Sequence, residues 1–459
     1  MRFELDVDVR SYDDGRVLVG GSPPKLMRLS AKGAATIDRL DDPPTDRATV
    51  AFIRRLTAAG LIHPVPVGGT ELRFQPADVT IVVPVRDRVA ELERCLDAIE
   101  RHSGWVSVVV VDDGSHDVEG HRGVAERHGA ALVRSAGSAG PAAARNAGLA
   151  RVRTELVAFV DSDIEVTSGW LDPLLAHLCD DQVVLVAPRI VAPGRAASVV
   201  ARYEQASSPL DMGTARAVVA PRSRIAYVPS ATLVARVDAM RTVDGFDPTL
   251  DVGEDVDLVW RLDERGGRCR FEPSSTVVHH HRDTLGAMLR RRVQYGSSAA
   301  LLDERHPGAV APVRVAPSDA LVIAAAGSGH PLVAVTALGA SWLRLAGRLA
   351  GLREPHRVAA DLAVRGHLAA WRQVARAIVR PWWPVSLVVA VVRPRTRRAI
   401  VAAVLVAPAI EFRRRRPRLD PLRWMLMWLA DDLAYSAGVW QGCIRRRRLG
   451  PLLPANGQN

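Results

Sequence analysis

Two runs of branched apolar residues constrain this chain more than any other feature. VTIVVPV (79–85) and VSVVVV (106–111) are apolar almost without a break, where a strand with one wet face would alternate. Such runs belong to strands covered on both faces, and sheets covered on both faces are built from parallel βαβ units. The segments around them keep that rhythm. ELERCLDAIERH places Leu92, Leu96 and Ile99 at helical spacing, and HRGVAERHG, ALVRS, PAAARNAGLARV and ELVAFVDSD continue the alternation. The chain is therefore predicted to form an α/β fold with an open, Rossmann-like, mostly parallel sheet. In such a sheet ligands bind beyond the carboxyl ends of the strands.

The flanks differ from this centre. Residues 1–75 read as a small α+β unit: RVLVGGSPPKLMRL as a hairpin turning at Gly20-Gly21 and Pro23-Pro24, then a helix after Ser30, then a second helix from about Arg47 to Ala59. This is a winged-helix-like arrangement. Residues 76–310 hold the α/β region. Residues 311–459 read as a helical, Arg-rich region, and the excess of arginine sets the net charge of +11 and the pI near 10.4. That charge suits an anionic partner, whether nucleic acid, a membrane surface or a phosphorylated substrate. Ala320 to Trp342 lacks Asp, Glu, Lys and Arg and so has the length of a membrane span, though Gly327, Gly329, Pro331 and Gly339 interrupt it. EFRRRRPR and IRRRR bracket an amphipathic-looking WMLMWLADDLAYSAGVW (424–440), a pattern suited to an anionic membrane face. A helical bundle with solvated arginines is the alternative. Four dispersed cysteines and a charged N-terminus without an apolar core point to a reducing, cytoplasmic setting.

Carboxylates gather where strands end. AFVDSDIE (158–165) closes an apolar run with Asp161 and Asp163, and VVVVDDGS (108–115) closes another with Asp112 and Asp113. Carboxylates at i and i+2 around a turn can face one hard divalent cation, Mn²⁺ or Mg²⁺, that also holds diphosphate oxygens; a capping turn is the purely structural alternative. Asp112 and Asp113 are placed to receive a base N–H or a ribose hydroxyl. The small residues and Arg145 of GPAAARNAG (140–148) are placed to let backbone N–H groups approach a diphosphate. Glu254 and Asp255 open a helix just after Gly253, where they either cap it or supply a general base. His279, His280 and His281 follow Val277-Val278, and one of them is a candidate metal ligand.

The order of VTIVVPVRDR, VVVVDDGS, GPAAARNAG, AFVDSDIE and DGFDPTLDVGEDVDLVWRL resembles the family 2 glycosyltransferases over residues 78–305. The resemblance implies a GT-A fold and inverting transfer from a nucleotide-diphosphate sugar. It implies Asp255 as catalytic base beside Glu254, and Asp161 and Asp163 as the metal motif with His279 or His281. A donor site of Pro84, Arg86, Asp112, Asp113, Gly140, Arg145, Asn146, Asp161 and Ser162 follows from it. The QxxRW motif of processive synthases is absent, the corresponding region reading RRRVQYGSSA (290–299). RVLVGGSPPKLMRL and TVAFIRRLTAAGLI resemble the peptide-binding domains of ribosomal peptide modification systems, similar to the carrier protein of pyrroloquinoline quinone synthesis. With the tail DDLAYSAGVWQG, the whole arrangement is similar to the family 2 enzymes of mycofactocin systems. That implies UDP-glucose as donor, a peptide-derived acceptor (the mycofactocin precursor) and a β-linked oligosaccharide product.

Other functions fit less of the sequence. A glycosyltransferase acting on a polyprenyl lipid or cell-wall glycan at a membrane uses the same motifs. A nucleotidyltransferase wants a Gly/Arg/Lys-rich loop after its first strand, whereas VTIVVPVRDR runs straight into a helix. A non-catalytic peptide or nucleic-acid binder leaves Asp161, Asp163 and Asp255 without purpose, and KGAATIDRL offers few base-reading side chains, so no nucleic-acid partner is expected.

Overall fold

A computed structural model describes residues 2–42, 46–67, 72–135, 137–194, 196–280 and 284–456. The chain divides into two compact units, residues 1–195 with 207–281 and residues 196–206 with 282–459.

The first unit begins with the small module. Its hairpin pairs Val17–Gly20 with Lys25–Arg28, and a third strand, Arg10–Tyr12, lies against the first. The strand Arg2–Leu5, which the sequence did not suggest, pairs antiparallel with Ile62–Val65. Ser30 and Asp46 cap the two helices Ala31–Ile37 and Arg47–Ala58 by accepting N–H bonds from Gly33 and Thr49. Leu18, Ile53, Leu56, Leu61 and Ile62 form the core of this module.

The rest of the unit is built on a nine-stranded sheet. Its strands are β1 (Val79–Val85), β2 (Ser107–Asp112), β3 (Ala131–Arg134), β4 (Leu156–Val160), β5 (Ile164–Val166), β6 (Val183–Val191), β7 (Ala217–Val219), β8 (Thr232–Arg236) and β9 (Arg268–His279). In space they run β5-β9-β6-β8-β4-β1-β2-β3, with β7 beside β9. The half that holds β4, β1, β2 and β3 is parallel, as their two-sided apolarity predicts. Beyond β4 the sheet becomes mixed. β8 enters antiparallel to β4, with Thr232 opposite Val160, and β5 lies antiparallel to β9, with Ile164 opposite His279.

These two antiparallel insertions matter for function. Each brings a strand from late in the chain to the carboxyl end of β4, where Asp161 and Asp163 sit. Helices α1 (Val89–His102), α2 (Val118–Arg127), α3 (Pro141–Leu149) and α4 (Glu254–Glu264) follow or precede the strands. The small residues of α3 serve packing: a Cβ on Gly148 would stand 2.2 Å from Val82 Cγ1, so only glycine lets the helix lie this close to β1.

In the second unit, helices Leu285–Ser297 and Pro421–Arg446 cross with backbones in contact. A Cβ on Gly438 would meet the Val293 carbonyl oxygen at 2.0 Å, and one on Gly296 would meet that of Tyr435 at 2.0 Å. Trp424 is buried against Tyr203 and Trp428. Arg292 donates to Glu204 and, at 3.0 Å, to Asp431, which also accepts from the Tyr203 hydroxyl. Arg380 lies 3.0 Å from Asp432 and stacks over the Tyr435 ring at 4.0 Å. WMLMWLADDLAYSAGVW, amphipathic by pattern, thus packs one side of its helix inside this unit, where Asp431 and Asp432 pair with Arg292 and Arg380, while Leu426 and Leu433 stay exposed on the other. No single described helix is long and apolar enough to cross a membrane; one pair, Pro355–Val379 and Trp383–Val392, meets the test only jointly and is bent by 90°.

Candidate active site

The site is organised around one buried arginine. Arg145, on α3, donates from Nη2 to Asp161 Oδ1 at 2.7 Å and from Nη1 to Glu254 Oε1 at 3.0 Å. It ties the end of β4 to the start of α4, two segments nearly a hundred residues apart in sequence. Ser230, delivered by the antiparallel entry of β8, donates to the same Glu254 oxygen at 3.3 Å. The guanidinium also stacks over Phe246 at 5.4 Å, and Asn146 holds the Phe246 backbone from both sides, at 2.7 and 2.9 Å. Both terminal nitrogens of Arg145 and both amide atoms of Asn146 are therefore spent on protein groups, and the buried Arg145 Nε has no hydrogen-bond partner among the described residues.

Asp163 has its own cation. Arg88 donates to its Oδ2, and His279 Nε2 stands 3.5 Å from its Oδ1, a contact made by the β5–β9 register. Burial alone would raise the Asp163 carboxyl, but His279 and Arg88 outweigh it and hold the group below the usual carboxylate range. Asp161 goes the other way: burial dominates and raises it, against the pull of Arg145. His280 is occupied elsewhere, 2.7 Å from Glu165 Oε1, and His281 lies outside the described residues.

Asp255 is also perturbed, upward like Asp161. Gly253 takes a left-handed conformation, φ +89°, and turns the chain so that Glu254 and Asp255 open α4 together. Burial, then the adjacent Glu254 charge, pushes Asp255 up to about 7, although the Val256 N–H donates to its Oδ1 at 2.8 Å. A half-buried carboxyl titrating near neutrality is suited to accept a proton.

The other sequence candidates divide. Asp113 accepts from Ser138 Oγ, Ala139 N–H and Gly140 N–H at 2.8 to 3.0 Å, so it fixes the loop leading into α3. Arg86, just past the end of β1, donates across to Ser138 Oγ of that loop at 2.7 Å and is otherwise exposed. Asp112 is fully buried and spent on the Ser115 N–H and Arg134. Pro84 is buried within β1, and Ser162 is buried in the turn between Asp161 and Asp163. Arg88 and Ser230 complete the site without having been singled out in the sequence. Arg88 had a faint signal, since RDR after a strand end puts two arginines beside the acids.

The donor set suits a hard divalent cation: two carboxylates and an imidazole, with Arg145 and Arg88 the arginines that pair with Asp161, Asp163 and Glu254 among the described residues. In this arrangement the carboxylates turn toward those arginines. Among the described residues, the group whose ligand atoms all fall within 4.8 Å of one another is Glu93, Asp97 and His128, on α1 and at the end of α2.

With this geometry, residues 80–237 match the family described as glycosyl transferase family 2, and the chain belongs to that family. It is 40% identical over 479 residues to the pre-mycofactocin glycosyltransferase of Mycobacterium tuberculosis (strains CDC 1551 / Oshkosh and ATCC 25618 / H37Rv), spanning 98% of this chain and 97% of that protein. A shorter likeness, 29% over 167 residues, covers 33% of this chain and 26% of the probable polypeptide N-acetylgalactosaminyltransferase 8 of Homo sapiens. Among solved structures, the mannosyltransferase PcManGT from Pyrobaculum calidifontis, in complex with GDP-Man and Mn²⁺, aligns with 67% of this chain and 91% of its own at a TM-score of 0.39 and 19% identity.

Proposed function

We propose that the chain transfers a hexose, glucose from UDP-glucose, to a peptide-derived acceptor of the mycofactocin type, with inversion at the anomeric carbon. The observation that carries this reading is the Arg145 bridge, which joins the Asp161 strand end to the Glu254-Asp255 helix start in one site. Asp255 accepts the proton of an acceptor hydroxyl as that oxygen attacks the anomeric carbon. The bond to the diphosphate oxygen breaks on the opposite face, and the configuration inverts. Glu254, held by Arg145 and Ser230, sets the position of Asp255 rather than touching substrate. The loop fixed by Asp113 and lined by Arg86 serves the nucleotide. Asp161, Asp163 and His279 would hold Mn²⁺ or Mg²⁺, which when bound supplies the countercharge that a departing diphosphate needs.

The similarity to the mycobacterial protein over nearly its whole length supports the acceptor class, and the small N-terminal module is the proposed peptide-binding part. The four cysteines, none in a disulfide, support a reducing compartment. The test is nucleotide release and transfer by the purified chain, with UDP-, GDP- and dTDP-sugars and Mn²⁺ or Mg²⁺. UDP release from UDP-glucose, enhanced by the mycofactocin precursor and abolished by EDTA, is the expected result. Enhancement by polyprenyl lipids alone would overturn the acceptor while keeping the site chemistry. No turnover of any donor would overturn the reading.

A further inference from the structure

Five helices of the second unit, Pro317–Gly327, Pro331–Arg348, Pro355–Val379, Trp383–Val392 and Pro394–Arg415, are packed the wrong way round for water. A helix in a water-soluble bundle turns its large apolar side chains inward. Here the inward positions are mostly small, such as Ala334, Ala346, Ala370, Ala377 and Ser386. The large residues face out: Leu332 is 81% exposed and Val391 75%, with Leu343, Val388 and Leu405 more than half or nearly half exposed. Trp383–Val392 buries Ser386 while Val385, Leu387, Val388, Val391 and Val392 point outward. Small residues at helix contacts with large apolar ones outside is how helices pack in an apolar solvent. Apolar exposure on this scale marks an interaction surface.

Charge identifies the occupant. Residues 317–415 contain fifteen arginines, no lysine and four carboxylates (Asp319, Glu354, Asp361 and Glu411). The last helix shows the pattern most plainly. Its apolar middle, AIVAAVLVAPAI, lies between exposed Arg395, Arg397 and Arg398 at one end and exposed Arg413 and Arg414 at the other. An apolar middle with cationic ends complements acyl chains bordered by anionic headgroups, whereas a second copy of the same cationic face would be repelled. No described helix is long and apolar enough to cross singly, and the described pair that meets the test jointly is bent by 90°.

We propose that these five helices seat in one leaflet of an anionic phospholipid bilayer, their exposed Leu and Val side chains among the acyl chains and their exposed arginines at the headgroups. The surface is distinct from the segment 424–440, whose pattern looked amphipathic and which buries Trp424, Asp431, Asp432 and Val439 while Leu426 and Leu433 stay exposed. The test is flotation of the full chain with phosphatidylcholine vesicles, with and without phosphatidylglycerol. Recovery with the anionic vesicles is expected, falling roughly tenfold without phosphatidylglycerol or in high salt. The triple variant Leu332→Glu, Val388→Glu, Val391→Glu should stay in the aqueous fraction at an unchanged thermal midpoint. Arg395→Gln, Arg397→Gln, Arg398→Gln together should lose the preference for anionic lipid. Parent protein that stays aqueous with every vesicle overturns the proposal, as does a triple Glu variant that floats like the parent. Parent that stays off vesicles but forms a dimer split by the Glu variant assigns the face to self-association and overturns it too.

Discussion

As the proposed base, Asp255 has to be uncomfortable in order to work. A carboxyl raised to about 7 is half protonated at neutrality, so turnover should fall about tenfold per pH unit below that point and level off above it. The same shift has a stability consequence of opposite sense. A raised carboxyl favours folding fully only below its unfolded value of 3.8, and that contribution is lost as pH rises through about 7. Asp255→Asn should therefore cut turnover by ~10³-fold or more while unfolding at a higher temperature than the parent at pH 8. At pH 4 the two should unfold alike. A variant that keeps turnover, or that loses stability at pH 8, would refute the assignment. At this scale the acids were legible in the sequence, because carboxylates at apolar strand ends are conspicuous. Their partners were not. Arg145 read as a diphosphate ligand because its proximity to Glu254, 109 positions away, is created by the fold alone. Ser230 reaches that same oxygen only because β8 runs antiparallel to β4, a direction that nothing in YVPSATLVAR specifies.

Among the elements, the parallel strands were the most legible and the last helix the least. Strands buried on both faces advertise it in consecutive residues. Pro421–Arg446 shows an alternation of Trp, Leu and Asp that fits a membrane face or a buried spine equally well. The side that carries the aspartates is fixed by Arg292, on Leu285–Ser297, and Arg380, just past Pro355–Val379, which pair with Asp431 and Asp432. Glycine crossings give this interpretation a measurable form. At Gly438 the obstacle to a side chain is the Val293 backbone, which cannot rotate away; at Gly148 it is a Val82 methyl group. Gly438→Ala should cost ~2–3 kcal/mol or more in denaturant unfolding, and Gly148→Ala a smaller ~1–2 kcal/mol. An unchanged midpoint for Gly438→Ala would mean the two helices do not lie in backbone contact. The glycines themselves were visible in GPAAARNAG and SAGVWQG, but which helix face each would press on was not.

At the scale of the whole molecule, the small N-terminal module joins the catalytic sheet through buried charge. Asp6, its side chain 1% exposed, accepts from Arg224 Nη2 at 3.0 Å, meets His63 Nε2 at 2.8 Å and accepts the Asp8 N–H at 3.0 Å. Arg224 comes from the segment between β7 and β8, whose far end carries Ser230 into the active site. Nearby, Arg216 joins Glu4 of the module to Glu272 of β9. Burial would raise Asp6, yet these partners outweigh it and lower the group to about 2. A depressed carboxyl stabilises the fold above its unfolded value of 3.8 and loses that contribution as pH falls toward 2, a change of about 2 kcal/mol. Arg224→Ala should remove part of this and leave Asp6 buried with His63 and the Asp8 N–H, costing ~2–4 kcal/mol at neutral pH. It should also flatten the acid limb of stability between about pH 4 and pH 2. Thermal unfolding of parent and variant across that range separates the outcomes. Parallel curves would show that Arg224 is a surface contact and that the module is held by its apolar face. Converging curves would show that one ion network docks the module and steadies the segment that leads to Ser230. Nucleotide-sugar turnover then falls in the variant along with stability, because Glu254 loses part of its support.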